Sequence, residues 1–144
     1  MLKEFFSIFR PKIPNKIQLQ LEDALPVLTA NPMVKEIRLF GSAQNGGWDP
    51  RRSDIDVAVI IVGNNTDWSA YSDQVTQYYI DPEIGESLPV KGETSTRRAF
   101  RNSVKLIAPK IHLAIATEAD LVHMKQEGGD FQKIMLRGRL LYKE

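Results

Sequence analysis

Two acidic residues two positions apart, Asp54 and Asp56, open an apolar run that continues to Val62. Because strand side chains alternate between two faces, both carboxylates are predicted to point the same way, while Ile55 and Val57 point the other way. Two carboxylates on one face can hold the same divalent cation. The spacing therefore indicates metal-dependent chemistry, with Asp54 and Asp56 as catalytic residues and metal ligands.

A glycine-bearing turn, Gly41-Ser42, follows a predicted strand at 35–40. Gly41 has no Cβ, so a bulky anionic group can come close to the backbone there, and Ser42 adds a hydroxyl and an amide donor. These groups suit the phosphates of a nucleoside triphosphate. Mg²⁺ prefers carboxylate oxygens and keeps phosphate oxygens among its other ligands, so two aspartates and a nucleotide would complete its coordination.

The elements that must position these residues alternate between helices and strands. Helices are predicted to begin at Asn15, at Thr66 or Asp67, and at Ser95, Thr117 and Asp130; strands are predicted at 35–40, 57–62, 111–116 and 140–142, and a loop at 81–93. Gln18 is expected to complete a capping box with Asn15, and Asp120 with Thr117. The expected fold class is α+β (α/β mixed), a small mixed sheet with helices packed against it.

The first ten residues carry an apolar stripe at helical spacing, formed by Leu2, Phe5, Phe6 and Phe9. This pattern predicts a short amphipathic helix that ends before Pro11 and packs against the body or another subunit. We therefore divide the chain into an N-terminal extension, 1–15, and one domain, 16–144.

Composition limits the classes of function. A chain of 144 residues with 42% hydrophobic and 26% charged residues is expected to fold as one ordinary domain. A net charge of +1 provides no general attraction for polyanions, so nucleic acid is not an expected partner. No apolar run approaches the roughly 20 residues of a membrane span, and no secretory signal is evident. The absence of cysteine fits a reducing compartment, so we expect a cytoplasmic protein.

A row of basic residues, Arg97, Arg101 and Lys105, follows one side of the helix predicted from Ser95, with Arg98 beside it. The row could contact phosphates, and a nucleic-acid-binding protein that uses this row is a third possible function. The favoured interpretation is a solvated helix face, because charge on an exposed helix usually serves solubility.

His112 lies in the predicted strand at 111–116, and three roles are open for its side chain. It could bind metal through a neutral imidazole, act as a base, or form a structural hydrogen bond within the sheet. Asp81 and Glu83, in the predicted loop, are an alternative source of a third carboxylate. His123 has no partner at metal-ligand spacing and is interpreted as structural.

The segments Phe40-Gly41-Ser42 and Ser53-Asp54-Ile55-Asp56-Val57 resemble the Gly-Ser and Asp-x-Asp signature of the DNA polymerase β-like nucleotidyltransferase superfamily. The similarity is greatest to the minimal nucleotidyltransferases, and the tail at 131–142 resembles their closing helix and strand. The resemblance implies that Gly41, Ser42 and Ser53 bind the nucleotide, and that Asp54 and Asp56 bind magnesium. His112 stands where the family usually places a third carboxylate.

The activity implied by the resemblance is Mg-dependent transfer of a nucleoside monophosphate from a triphosphate, with ATP expected, to a hydroxyl group. A histidine in place of the third carboxylate would shift the metal preference towards Mn²⁺. Relatives of this size often act as antitoxins on a separate helical protein, so such a partner is expected, with a homo-oligomer left open. The alternative is a catalytically degenerate module that binds nucleotide or regulates a partner by contact.

Overall fold

The computed structural model describes residues 4–5, 13–41, 43, 49, 54–71, 76–80, 87–91, 93–126, 128, 133 and 136–144. In chain order the described elements are β1 (Glu4–Phe5), α1 (Asn15–Thr29), β2 (Val34–Phe40), β3 (Ile55–Ile61), β4 (Thr76–Ile80), β5 (Ser87–Lys91), α2 (Ser95–Ile107), β6 (Ile111–Thr117), α3 (Glu118–Gln126) and β7 (Arg139–Lys143). A five-stranded sheet has the order β1-β7-β2-β3-β6, and β4 and β5 form a separate hairpin. None of the helices described is both long enough and apolar enough to cross a lipid bilayer.

Strand β3 lies between an antiparallel and a parallel neighbour. It pairs antiparallel with β2, which sets Phe40 opposite Asp56, and parallel with β6, which sets His112 opposite Asp56. The end of β2 and the beginnings of β3 and β6 therefore meet at one end of the sheet. The mixed sheet with flanking helices confirms the predicted fold class.

The two faces of the sheet are covered unequally. On the first face, alternate residues of β3 pack with α1 and α2 in the main core, with Ile55, Val57, Val59 and Ile61 at most 1% exposed. Burying each such side chain contributes about 2 kcal/mol to stability. The second face carries a smaller cluster, packed against α3, of Phe40, Ala58, Ile60 and Ala116 with the partly buried Ala114, Leu121 and Met124. Asp56 belongs to this second face because it alternates with Ile55 and Val57.

The N-terminal segment differs from its prediction. Glu4 and Phe5 form β1 and pair antiparallel with Lys143 and Tyr142 of β7, so the predicted helix is wrong at these two residues. The side of β7 that faces away from β2 offers backbone donors and acceptors, and the extended segment of β1 pairs with them. A helical spacing of apolar residues contains no information about such a distant partner. The rest of the predicted stripe, Leu2, Phe6 and Phe9, lies outside the described residues.

The region after β3 also differs from its prediction. The helix expected from Thr66 or Asp67 is wrong, because turns occupy residues 66–68 and 70–71 and Tyr78 lies in β4. The loop expected at 81–93 is wrong at Ser87–Lys91, which forms β5 and pairs antiparallel with β4. The spacing of the apolar residues that suggested a helix also permits a strand, and only pairing with β5 distinguishes the two.

The helix caps match their predictions to different degrees. Helix α1 begins at Asn15 as expected, but Pro14 is its N-cap, and Gln18 Nε2 donates to the carbonyl of Ile13 at 2.8 Å instead of completing a capping box. Helix α2 is capped one residue before the predicted Ser95, because Thr94 Oγ1 accepts from the backbone N–H of Arg97. The strands at β2, β3, β6 and β7 are confirmed, whereas most of the helix expected from Asp130 lies outside the described residues.

The capping box at the start of α3 is confirmed in full. The N–H of Asp120 donates to Thr117 Oγ1, and the N–H of Thr117 donates to Asp120 Oδ2, both at 3.0 Å. The same carboxylate, 3% exposed, also accepts from Ser69 Oγ at 2.6 Å and from the N–H of Ala70 at 2.8 Å. Asp120 thus ties the 66–71 turn to the end of β6.

Replacing Asp120 by alanine should destabilise the protein by about 3 kcal/mol, because the buried N–H of Thr117 and the partly buried N–H of Ala70 lose their acceptor. Chemical denaturation followed by circular dichroism measures this change in the free energy of unfolding. Glu22→Ala, an exposed replacement on α1, is the matched control and should change stability by less than about 0.5 kcal/mol. Equal stability of the two variants would contradict the role assigned to Asp120.

Candidate active site

The two predicted catalytic aspartates lie together at the beginning of β3. Asp54 is exposed immediately before the strand, and the Asp56 side chain is 32% exposed within it. Burial raises the pKa of the Asp56 carboxyl, and the negative charge of Asp54 raises it further, although His112 partly offsets both. Among the described residues, no lysine or arginine forms an ion pair with either aspartate. Two neighbouring carboxylates with no lysine or arginine partner in this described part of the chain leave a local excess of negative charge that a metal ion can relieve.

Gly41 forms the wall of this carboxylate pair. Its φ angle of 70° lies in the left-handed region, and a Cβ built on it would overlap Oδ2 of Asp56 and lie 3.3 Å from Cγ. Only glycine combines this backbone conformation with this close approach. The structure therefore places Gly41 directly against Asp56, as a compact site requires.

His112 lies on the other side of Asp56. The parallel register of β3 and β6 sets the two residues opposite each other, and His112 Nδ1 is 3.5 Å from Asp56 Oδ1. The histidine side chain is 56% exposed, so it is not a buried structural group. Within the described part of the chain, no three His, Asp, Glu or Cys side chains converge as a preformed metal site.

The donor set fits a hard divalent cation that binds together with a nucleotide. Mg²⁺ is usually held by one or two carboxylates, with water and substrate phosphates in its remaining positions. Asp54 and Asp56 provide those carboxylates, and the bare backbone of Gly41 lies directly against Asp56. A third protein ligand is not needed for such a site.

Four predicted site residues lie outside the described residues: Ser42 and Ser53, expected to bind the nucleotide, and Asp81 and Glu83. The ring of His123 packs edge to face against Tyr71 with centroids 4.1 Å apart, which agrees with its interpretation as structural.

The basic row on α2 has a role that the sequence analysis missed. Strand β6 is at the edge of the sheet, and two arginines bind carbonyls on its outer side: Arg101 donates to Leu113, and Arg97 donates to Ile115 at 2.7 Å. Arg97 is 9% exposed, so the prediction of a solvated face is wrong at this position. The four-residue spacing was visible in the sequence, but the identity of β6 as an edge strand was not.

Glu93 neutralises part of this charge. Its carboxylate accepts two hydrogen bonds from Arg101 Nε, at 3.1 and 3.2 Å, and one from Nη2 at 2.6 Å, and lies 3.6 Å from Arg97 Nε. Burial by itself would raise the pKa of Glu93, but the hydrogen bonds and charges of the arginines outweigh it and lower the pKa. The ion pair fixes Arg101 beside Leu113, the residue after His112.

A lowered pKa in the folded state means that the ionised Glu93 stabilises the fold at neutral pH and that this stabilisation is lost as the pH falls through the lowered pKa. We therefore expect Glu93→Gln to be less stable than wild type by about 1 kcal/mol at pH 7. The difference should shrink on acidification below the ordinary pKa of a glutamate. Denaturation curves at several pH values test this, and a constant difference would contradict the ion-pair assignment.

His112 also lines a cavity of about 360 Å³. Gly41, Asp54, Asp56 and His112 all fall within residues 21–125, which match the family of nucleotidyltransferase domains. The chain is similar to the crystal structure of a suggested nucleotidyltransferase from Sulfolobus solfataricus. The alignment covers 81% of this chain and 83% of that chain, with 15% sequence identity and a TM-score of 0.41. No curated protein sequence matches the chain.

The match to the family of nucleotidyltransferase domains covers well over half of the chain, and the family assignment rests on this match alone. It agrees with the family predicted from the Gly-Ser turn and the two aspartates. The chain is a member of the nucleotidyltransferase domain family.

Proposed function

We propose that the protein transfers a nucleoside monophosphate from a nucleoside triphosphate, with ATP as the expected donor, to a hydroxyl acceptor in the presence of Mg²⁺ or Mn²⁺. The observation that carries this proposal is the pairing of Asp54 with Asp56 beside the bare backbone of Gly41. Family membership supports nucleotidyl transfer in general. The metal, the donor and the acceptor are parts of the proposal.

Asp54 and Asp56 are the residues that would hold the metal, which supplies positive charge to the reacting phosphates. By resemblance, Gly41, Ser42 and Ser53 would bind the triphosphate. The two carboxylates are crowded before any cation binds, since the charge of Asp54 already raises the pKa of Asp56. This crowding favours cation binding.

His112 is proposed to receive the proton of the acceptor hydroxyl. Its Nδ1 faces Asp56 and its ring is half exposed, so the other ring nitrogen is available to a substrate. In the transfer, the acceptor oxygen forms a bond to the α-phosphorus while the bond from that phosphorus to its bridging oxygen breaks. Pyrophosphate leaves with the electron pair, and the proton passes to His112.

The acceptor is proposed to be a hydroxyl group on a partner protein. A domain of this size offers few elements beyond those that hold the site, so a separate helical protein, or a second copy of the chain, would provide the remaining surface. An antitoxin that modifies its partner, acting in the cytoplasm, is the corresponding biological role.

A second candidate is a degenerate module that binds nucleotide and regulates a partner without transfer. The observation that favours it is the position of His112, which lies opposite Asp56 where the resemblance expects a carboxylate. The two candidates make different predictions for label transfer, although both predict nucleotide binding.

The test is incubation of the protein with ATP, GTP, CTP or UTP labelled at the α-phosphate, in Mg²⁺ or Mn²⁺, with and without its co-purifying proteins. Transfer predicts label on an acceptor and a mass increase of one nucleoside monophosphate, together with release of pyrophosphate. Nucleotide binding without label transfer under all of these conditions would favour the degenerate module. The absence of both nucleotide binding and label transfer would contradict both candidate functions.

A further inference from the structure

We infer that the cavity beside His112 receives the acceptor hydroxyl, and that it favours an acceptor group with a negative rather than a positive charge near that hydroxyl. The cavity has a volume of about 360 Å³, within the range of small-ligand pockets, and lies along the outer edge of β6. The inference rests on the proposed function, because it assigns the second substrate of the same reaction. Position, lining and charge each support it.

The position follows from the strand order. Because β3 lies between β2 and β6, Gly41 adjoins Asp56 on one side and His112 adjoins it on the other. In phosphoryl transfer the attacking and leaving oxygens lie roughly in line across the phosphorus. If Gly41 adjoins the leaving pyrophosphate, the acceptor must approach from the side of His112, where the cavity opens.

The lining is suited to an apolar body. Ala114 and Ala116, on the second face of β6, and Met124 of α3 contribute small or adaptable side chains to the cavity. Alanine side chains leave depth that larger residues would fill, so the cavity can admit a ring or a short aliphatic chain beside the sheet.

The charge of the cavity wall comes from α2. Arg97 and Arg101 bind the edge carbonyls of β6, and Glu93 offsets part of their charge. Lys105 also lines the cavity; it is exposed and has no carboxylate partner among the residues that the structure describes. An ammonium group on the cavity wall attracts an anionic acceptor and repels a cationic one.

The test uses two probes that share a phenol hydroxyl and differ in charge, 4-hydroxyphenylacetate and tyramine. Their binding is measured by saturation-transfer NMR on Asp56→Asn, so that turnover is not required, and their acceptor activity is measured with wild type and α-labelled ATP. We expect the acid to bind about tenfold more tightly than the amine and to be the better acceptor.

Lys105→Glu, which replaces the positive charge by a negative one, should abolish or reverse the preference for the acid. Lys105→Gln, which only removes the positive charge, should reduce that preference. Lys16→Glu, an exposed change of equal charge on α1, is the control and should leave the preference intact. Filling the cavity with Ala114→Leu should weaken both probes equally, because the apolar floor serves both.

Two outcomes separate this inference from the proposed function. Label transfer by wild type, with no charge preference or with a preference that Lys105→Glu leaves unchanged, would overturn the acceptor assignment alone. Selective binding of the acid without transfer from any nucleotide would overturn the proposed function, and the acceptor role with it.

Discussion

Replacement of Asp56 by asparagine is expected to reduce nucleotide transfer by about a thousandfold or more, without loss of stability. Asparagine keeps the size of the side chain but removes the charge that would hold the metal against the phosphates, and metal charge contributes several kcal/mol to such reactions. Asp54→Asn should act in the same direction. Label transfer from the preferred nucleotide, measured at saturating Mg²⁺ and Mn²⁺, gives the magnitude.

The stability of Asp56→Asn distinguishes a catalytic from a structural role. Burial and the neighbouring Asp54 raise the pKa of the Asp56 carboxyl, with His112 as a partial offset, so ionisation of Asp56 is less favourable in the folded protein than in the unfolded chain. A raised acid pKa means that the charge opposes folding above that pKa, and asparagine removes this cost. We expect a melting temperature equal to or above that of wild type. Lower stability accompanying lost activity would instead indicate that Asp56 serves the fold.

Local sequence patterns were sufficient to predict the faces of strand β3 and the start of helix α3. The alternation around Asp56 predicted that this carboxylate and the side chains of Ile55 and Val57 lie on opposite faces of β3, and the structure has this arrangement. The capping box of Thr117 and Asp120 was also readable, because both partners lie within one turn of helix. Such features depend on neighbours in the sequence, so a single chain contains the information that specifies them.

Pairings between distant segments were not predictable in this way. The pairing of Phe5 with Tyr142 joins the two ends of the chain, and the β4–β5 hairpin replaced a predicted helix and loop. The position of His112 beside Asp56 likewise depends on the parallel register of β6, which the sequence pattern leaves open. The arginines of α2 were predicted as a solvated face because the exposed carbonyls of β6 become evident only when the strand order is known.

The close contact between Gly41 and Asp56 leads to the second large effect. In Gly41→Ala the new Cβ would overlap Asp56 Oδ2, so the carboxylate must move away from its position opposite His112. A displacement of about 1 Å in a catalytic group commonly costs about a hundredfold in rate. We therefore expect about a hundredfold loss of label transfer, with destabilisation of about 1–2 kcal/mol from the left-handed backbone.

Gly63→Ala is a control matched in backbone conformation. Gly63 has the same φ angle of 70°, but a Cβ there meets no atom within 4 Å among the described residues. It should show the backbone destabilisation and retain transfer activity, so the difference between the two variants isolates the contact with Asp56. A further variant, Gly41→Ala with Asp56→Asn, should be no less active than Asp56→Asn, because both changes act on one carboxylate. If Gly41→Ala were as active as Gly63→Ala, the position of Asp56 against Gly41 could not matter for catalysis.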